Sequence, residues 1–224
     1  DILSCVSDCV CRTYLKALGN RTSFSRVQIV HNSAPIYKED IRCPKPTPCT
    51  HILYHGRICR EKGIVPLFKA LSLIADLPFR ITFAGNIDKR DKKLWKQLLA
   101  SSSIKDNIEY IGFCTDMRDL LNTCHIGISP SIVREAGPLS IIEHMAYGLA
   151  VVTSNNGAQP EIIQNEINGI LCPSNDPQAI ATALRRLLTD FELTNRIGKQ
   201  AQKDFFAQHS YDTFIKDMYQ LYTQ

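Results

Sequence analysis

His51-Ile52-Leu53-Tyr54-His55-Gly56-Arg57-Ile58-Cys59-Arg60-Glu61-Lys62-Gly63 is an apolar run of strand length that stops at a glycine and enters a charged loop. Helical periodicity takes over across 65–75. The same succession recurs along the chain. Strand-like runs at 51–55, 79–84, 108–112, 125–129, 150–154 and 169–172 alternate with helical stretches at 65–75, 89–101, 117–122, 138–147 and 177–188. Short apolar runs joined by helices read as parallel strands with crossover connections. The pattern predicts an α/β fold built on a doubly wound, Rossmann-like parallel sheet.

The two ends fit that scheme less well. Residues 1–7 read as a strand, 8–18 as a helix ended by Gly19, and 26–31 as another strand, before Pro35 and the proline-rich stretch 43–48 interrupt the pattern. This predicts the tail of a preceding domain and a hinge over 1–35, a Rossmann-like domain over 36–209, and a last helix over 210–224. The aromatic and aliphatic stripe of that helix expects a partner surface. A chain starting at Asp1 is read as a piece of a longer protein.

Composition narrows the function classes. With 224 residues, 44% of them hydrophobic, the chain can bury one sizeable core. It holds no apolar run of the roughly 18 residues a membrane span needs, and no charged-then-apolar leader. A net charge of +4, with Lys and Arg spread through helical segments, argues against a nucleic-acid partner. The run Lys89-Arg90-Asp91-Lys92-Lys93, followed by Trp95 and Lys96, suits the wet face of a helix and offers one peripheral contact for anionic lipid. Nine irregularly spaced cysteines read as free thiols of a reducing compartment. Cys5, Cys9 and Cys11 lack the paired spacing of a zinc site, so no metal is expected.

Two motifs carry chemistry. Glu135-Ala136-Gly137-Pro138-Leu139-Ser140-Ile141-Ile142-Glu143 lies between a strand and a helix whose first turn Pro138 marks and Gly148 ends. The amino-terminal amides of such a helix face the carboxyl end of a parallel strand, where doubly wound folds bind phosphate. The flanking carboxylates accept hydrogen bonds only, which suits hydroxyl groups. The second motif is Gly56-Arg57 with Lys62-Gly63: Arg57 can grip two oxygens in a fork, and Lys62 acts as a point charge. Gly85 and Gly112 close two strands, so that backbone can approach a ligand there, with Ile111 or Phe113 against a nucleobase. No Gly-x-Gly-x-x-Gly follows the first strand of the sheet, which argues against a dinucleotide-dependent dehydrogenase.

In this order, the segment 27–32, Gly56-Arg57 with Lys62-Gly63, Glu135 with Glu143, 150–155, Pro160-Glu161-Ile162-Ile163 and Asn168-Gly169-Ile170-Leu171 resemble the carboxy-terminal domain of family 4 glycosyltransferases. The resemblance runs from about Val27 to Leu188 and implies the carboxy-terminal half of a GT-B glycosyltransferase. It implies a retaining hexosyl transfer, without cofactor or metal, from a nucleoside diphosphate sugar, UDP-sugar favoured. The acceptor would be a cell-surface glycan or glycolipid, such as a bacterial lipopolysaccharide core, reached through an amino-terminal domain. The setting would be the cytoplasm, at the inner face of the inner membrane.

Carried over, Arg57, Lys62 and Glu135 are the catalytic group, with the two cations on the diphosphate and Glu135 on the sugar hydroxyls. Gly56, Gly85, Ile111, Phe113, Ala136, Gly137, Pro138, Leu139, Ser140 and Glu143 bind the sugar donor, Glu143 through the ribose. The chain departs from the family at Gly137-Pro138, where many relatives have Phe-Gly, and at Asn86-Ile87, where a second Gly is common. The alternatives are a nucleotide-sugar epimerase of similar architecture and a non-catalytic transferase-like binding module.

Overall fold

In the computed structural model, which describes residues 2–19, 24–41, 47 and 49–223, the first elements form a unit of their own. Strand β1 (Ile2–Cys5) leads through helix α1 (Asp8–Leu18) to β2 (Arg26–Ile29), which pairs with β1 in parallel. Ser7 caps α1 by accepting from the Val10 amide, and Asp8 supplies an anion in its first turn. The strand read at 26–31 stops at Ile29. Most of the proline-rich stretch 43–48 lies outside the described residues.

The repeated strand–helix pattern then builds a second sheet. Its elements are β3 (Thr50–His55), α2 (Ile64–Ser72), β4 (Phe79–Ala84), α3 (Lys92–Ala100), β5 (Ile108–Gly112), α4 (Arg118–Thr123) and β6 (Ile126–Ser129). They continue with α5 (Leu139–Ala146), β7 (Ala150–Ser154), α6 (Gln159–Ile162), β8 (Gly169–Cys172), α7 (Pro177–Thr189) and α8 (Phe191–Asp204). After a π-helical turn at Phe205–His209, α9 (Tyr211–Thr223) ends the described chain. Helix α9 buries none of its residues.

All six strands are parallel, in the order β5-β4-β3-β6-β7-β8. The alternation along β3 explains why helices must cover both faces. Ile52 and Tyr54 pack with α2, α3 and α7, whereas Leu53 packs on the other face with α5 and α8. The chain winds outward from β3 through β4 to β5, then crosses to β6 and winds the other way. Loops leaving the carboxyl ends of β3 and β6 therefore diverge, and a crevice opens between them.

Two details differ from the sequence reading. Pro138 precedes α5 with an extended ψ of 109°, so the helix starts at Leu139, and the Pro138 carbonyl accepts from the Ile141 amide at 3.2 Å. The helix read at 89–101 opens as a 3₁₀ turn, Lys89–Asp91, because the Asp88 carboxylate captures the Arg90 amide. Among the described residues no helix is long and apolar enough to cross a membrane.

Candidate active site

The loops at the crevice are held by close backbone contacts. Gly63 has φ +79°, and a Cβ there would lie 1.9 Å from the Pro130 carbonyl oxygen at the end of β6. The Glu61 carbonyl accepts from the Ile132 amide at 2.9 Å. Only a glycine allows this approach, and it carries Lys62 across to the loop before α5. There Lys62 Nζ lies 2.6 Å from Glu135 Oε1, and the Ser131 hydroxyl donates to the same oxygen at 2.6 Å. The Glu135 backbone is fixed too, since its carbonyl accepts from the Ala158 amide at 2.9 Å.

Lys62 lines a cavity of about 300 Å³ together with Tyr54, His55, Gly56, Ser129, Pro138, Leu139, Ser140 and Glu143. The Leu139 and Ser140 amides belong to the first turn of α5, which supplies no intrahelical acceptor for them. Glu143, one turn further in, reaches the cavity from the same helix. Its Oε2 lies 3.0 Å from His55 Nδ1, a contact that reading the sequence missed. No hydrogen bond is made at that ring nitrogen, so the contact is one of proximity. Beneath it, His144 is fully buried against Gly127, where a Cβ would come 2.3 Å from the ring. Burial, with the His55 ring nearby, pushes the His144 pKa down to about 3, so the imidazole is neutral.

A second cavity of about 200 Å³ shares His55 and Gly56 with the first and is lined by Arg57, Ala84, Gly85, Asn86, Phe113, Cys114 and Met117. Phe113 is 68% exposed at its mouth. Gly85 is explained by its neighbour in the fold, since a Cβ there would lie 1.9 Å from the Gly56 carbonyl oxygen. Arg57 is held by carboxylates: Nη1 lies 3.4 Å from Asp88 Oδ2 and Nη2 3.6 Å from Glu61 Oε2. Hydrogen bonds from Arg90 are the main cause that holds Asp88 down at about 2.

The structure thus brings Lys62, Glu135, Pro138, Leu139, Ser140, Glu143 and Gly56 together at one opening and places Arg57, Gly85 and Phe113 at the adjoining one. Ile111 lies on β5 outside both linings and is 41% exposed. Ala136 and Glu135 form the wall of a third cavity of about 350 Å³, facing Cys9, Val10, Thr13, Tyr14 and Ala17 of α1. Gly137 packs against Asn32 and Val6. Two contacts of the amino-terminal unit were also not foreseen. The Glu161 carboxylate accepts from the Asp8 and Cys9 amides at 2.7 Å each, capping α1 from 153 and 152 residues away, and the Asn32 side-chain amide donates to the Gly137 carbonyl at 2.8 Å.

Chemically, the first opening combines one ammonium, one helix amino terminus and two carboxylates. The first pair suits an anion, and the carboxylates suit hydroxyl groups beside it. Among the described residues no group of three or more His, Cys, Asp or Glu side chains is arranged to hold a metal ion.

Comparison with known proteins identifies the family and the fold. The chain is 29% identical over 174 residues to the uncharacterized glycosyltransferase MJ1607 of Methanocaldococcus jannaschii, covering 76% of this chain and 44% of that protein. It is 25% identical over 153 residues to the N,N'-diacetylbacillosaminyl-diphospho-undecaprenol alpha-1,3-N-acetylgalactosaminyltransferase of Campylobacter jejuni, covering 68% of this chain and 39% of that one. The chain spans less than half the length of these curated relatives. Among solved structures, Anabaena HepE in complex with UDP superposes with a TM-score of 0.87 at 18% identity, over 98% of this chain and 63% of that one, which shows a shared fold. The profile of the glycosyl transferases group 1 matches residues 40–204, and the chain belongs to that family.

Proposed function

We propose that this chain binds the nucleoside diphosphate sugar of a retaining hexosyl transfer, the base lying towards the second cavity, the ribose towards Glu143 and the sugar towards Glu135. The observation that carries this is the Lys62–Glu135 contact of 2.6 Å at the mouth of a cavity that also receives the first turn of α5 and Glu143. As the bond from the anomeric carbon to the phosphate oxygen breaks, negative charge gathers on the leaving diphosphate. A cation and amides fixed in place favour that transition state over the ground state. Glu135 and Glu143 accept from sugar and ribose hydroxyls. Charge neutralisation by Lys62, Arg57 and the α5 amides makes a metal unnecessary.

UDP is the favoured nucleotide, supported by the fold shared with HepE, whose complex holds UDP. A cell-surface glycan or a glycolipid is the favoured acceptor, supported by the Campylobacter relative that acts on a diphospho-undecaprenol. Acceptor positioning falls to an amino-terminal domain, with the work done in the cytoplasm at the inner face of the membrane. Calorimetry on this chain with UDP, GDP and ADP tests the reading. Binding of one nucleotide, weakened by Glu143→Ala, is expected; binding of none, with the amino-terminal domain restored as well, refutes it.

A further inference from the structure

The segment after β2 is held on both sides. The Val30 amide donates to the Cys5 carbonyl at 2.9 Å, and the Ser33 hydroxyl donates to the His209 carbonyl at 2.7 Å, in the turn before α9. Asn32 sits between these anchors. Its Nδ2 crosses 105 residues of sequence to donate to the Gly137 carbonyl at 2.8 Å. Gly137 does not adopt a left-handed φ, so its backbone conformation does not call for glycine. A Cβ there would lie 2.8 Å from Asn32 Nδ2 and 3.6 Å from Val6 Cγ2, so an alanine would have to push the Asn32 amide off its bond to the Gly137 carbonyl.

The Gly137–Pro138 peptide is a rigid plane, so fixing its carbonyl fixes the entry of Pro138, Leu139 and Ser140 into the cavity. Pro138 has no N–H, and that peptide carries an acceptor alone. Turned towards an anionic ligand it would offer repulsion and nothing else. We propose that Asn32 is a positioning residue of the donor site: it holds the Gly137 carbonyl and so couples the amino-terminal strand pair to the loop that meets the diphosphate and sugar. The inference rests on the donor-binding reading above.

A double-substitution cycle on this chain tests it, with UDP as the probe in calorimetry and thermal unfolding followed in parallel. Asn32→Ala should weaken UDP binding about fivefold, the worth of one ordinary hydrogen bond. Asn32→Asp should weaken it further, because a carboxylate sets acceptor against acceptor. Gly137→Ala should cost about tenfold or more through overpacking. The same substitution in an Asn32→Ala background should cost less than about threefold, because the space opposite has been vacated.

Additive effects on UDP affinity overturn the proposal. So does a rescue seen in melting temperature alone, which would make the contact structural only. Should Gly137→Ala fail to fold, equal binding by Asn32→Ala and Asn32→Asp overturns it instead. A parent chain that binds neither UDP, GDP nor ADP removes the donor reading, and this proposal with it. That outcome is distinct from an additive cycle in a chain that binds.

Discussion

Lys62→Ala separates what the ion pair does for the fold from what it does for the reaction. At 2.6 Å the gross attraction between Lys62 and Glu135 is about 6 kcal/mol for an effective dielectric near 20. Desolvation of both ends offsets most of that. The side chains are 31% and 15% exposed, so the pair lies between a surface contact, worth about 0–1 kcal/mol, and a buried pair whose breakage costs about 3–5 kcal/mol. Ser131 still donates to Glu135, which moderates the loss. A destabilisation of about 2 kcal/mol is expected, or roughly 4–8 °C in melting temperature for a chain of this size. The catalytic effect should be larger: removing a cation placed on a leaving group lowers turnover on the order of 100-fold or more, with a smaller change in donor KM. The assay is turnover of a radiolabelled UDP-sugar by the intact transferase, beside thermal unfolding of the same variant. A melting temperature that falls while turnover holds would confine Lys62 to the structure and refute its role at the diphosphate.

Further expectations follow from individual contacts. Gly63→Ala forces a Cβ to within 1.9 Å of the Pro130 carbonyl oxygen at a φ of +79°, so urea unfolding should show a loss of about 2–3 kcal/mol, whereas Gly56→Ala, with φ +142° but open space, should lose less. His144 is buried neutral with its pKa pushed down to about 3, mainly by burial, while the unfolded chain takes up a proton near 6.5. The unfolded state therefore binds more protons between those values. Stability attributable to His144 is complete above about pH 6.5 and falls as the pH drops towards 3, and His144→Leu should flatten melting temperature against pH over that window. Glu161→Ala uncovers the Asp8 and Cys9 amides that its carboxylate now holds at 2.7 Å, and hydrogen exchange at those two amides should accelerate by about tenfold relative to the parent chain.

The strand–helix succession was legible because it depends on local periodicity. β3 through β8 and the helices α2, α3, α4, α5 and α7 stand where alternating and helical patterns placed them, within a residue or two at most ends, whereas the four-residue α6 is too short to leave a helical period. Lys62 and Glu135 were legible as loop residues after strand ends, and Glu143 as a residue of the helix that follows. What the sequence concealed depends on contacts across long separations. Nothing local to Asn32 announces that its amide meets Gly137, and nothing local to Glu161 announces that it caps α1. Gly85 lines the second cavity, and its need for a glycine comes from the Gly56 carbonyl of the adjacent loop, which nothing local to it announces. His55 followed the strand pattern so well that its approach to Glu143 left no separate signal; a titratable residue at the carboxyl end of a central strand was the available clue. Pro138 was assigned one residue too far in, because a proline suits both the first turn and the residue before it.

The placement of the charges follows from the winding of the sheet. β3 hands its chain to β4 on one side, and β6 hands its chain to β7 on the other, so the two loops have no strand between them to keep them apart or together. They are joined instead by Gly63 against Pro130 and by Glu61 bonded to Ile132, and Lys62 and Glu135 are the side chains next to that junction. A carboxylate at the mouth of an anion site would repel the ligand if it stood alone. Paired with Lys62 it does not, and the helix amides beyond it keep their partial positive charge for an anion. In the proposed donor complex a sugar hydroxyl would replace the ammonium at Glu135 and free Lys62 for the diphosphate, so that one exchange of partners would supply both halves of the site. Glu135→Gln should on this reasoning weaken the sugar-bearing nucleotide more than the bare nucleoside diphosphate, and equal losses for both would show that the ammonium never changes partner.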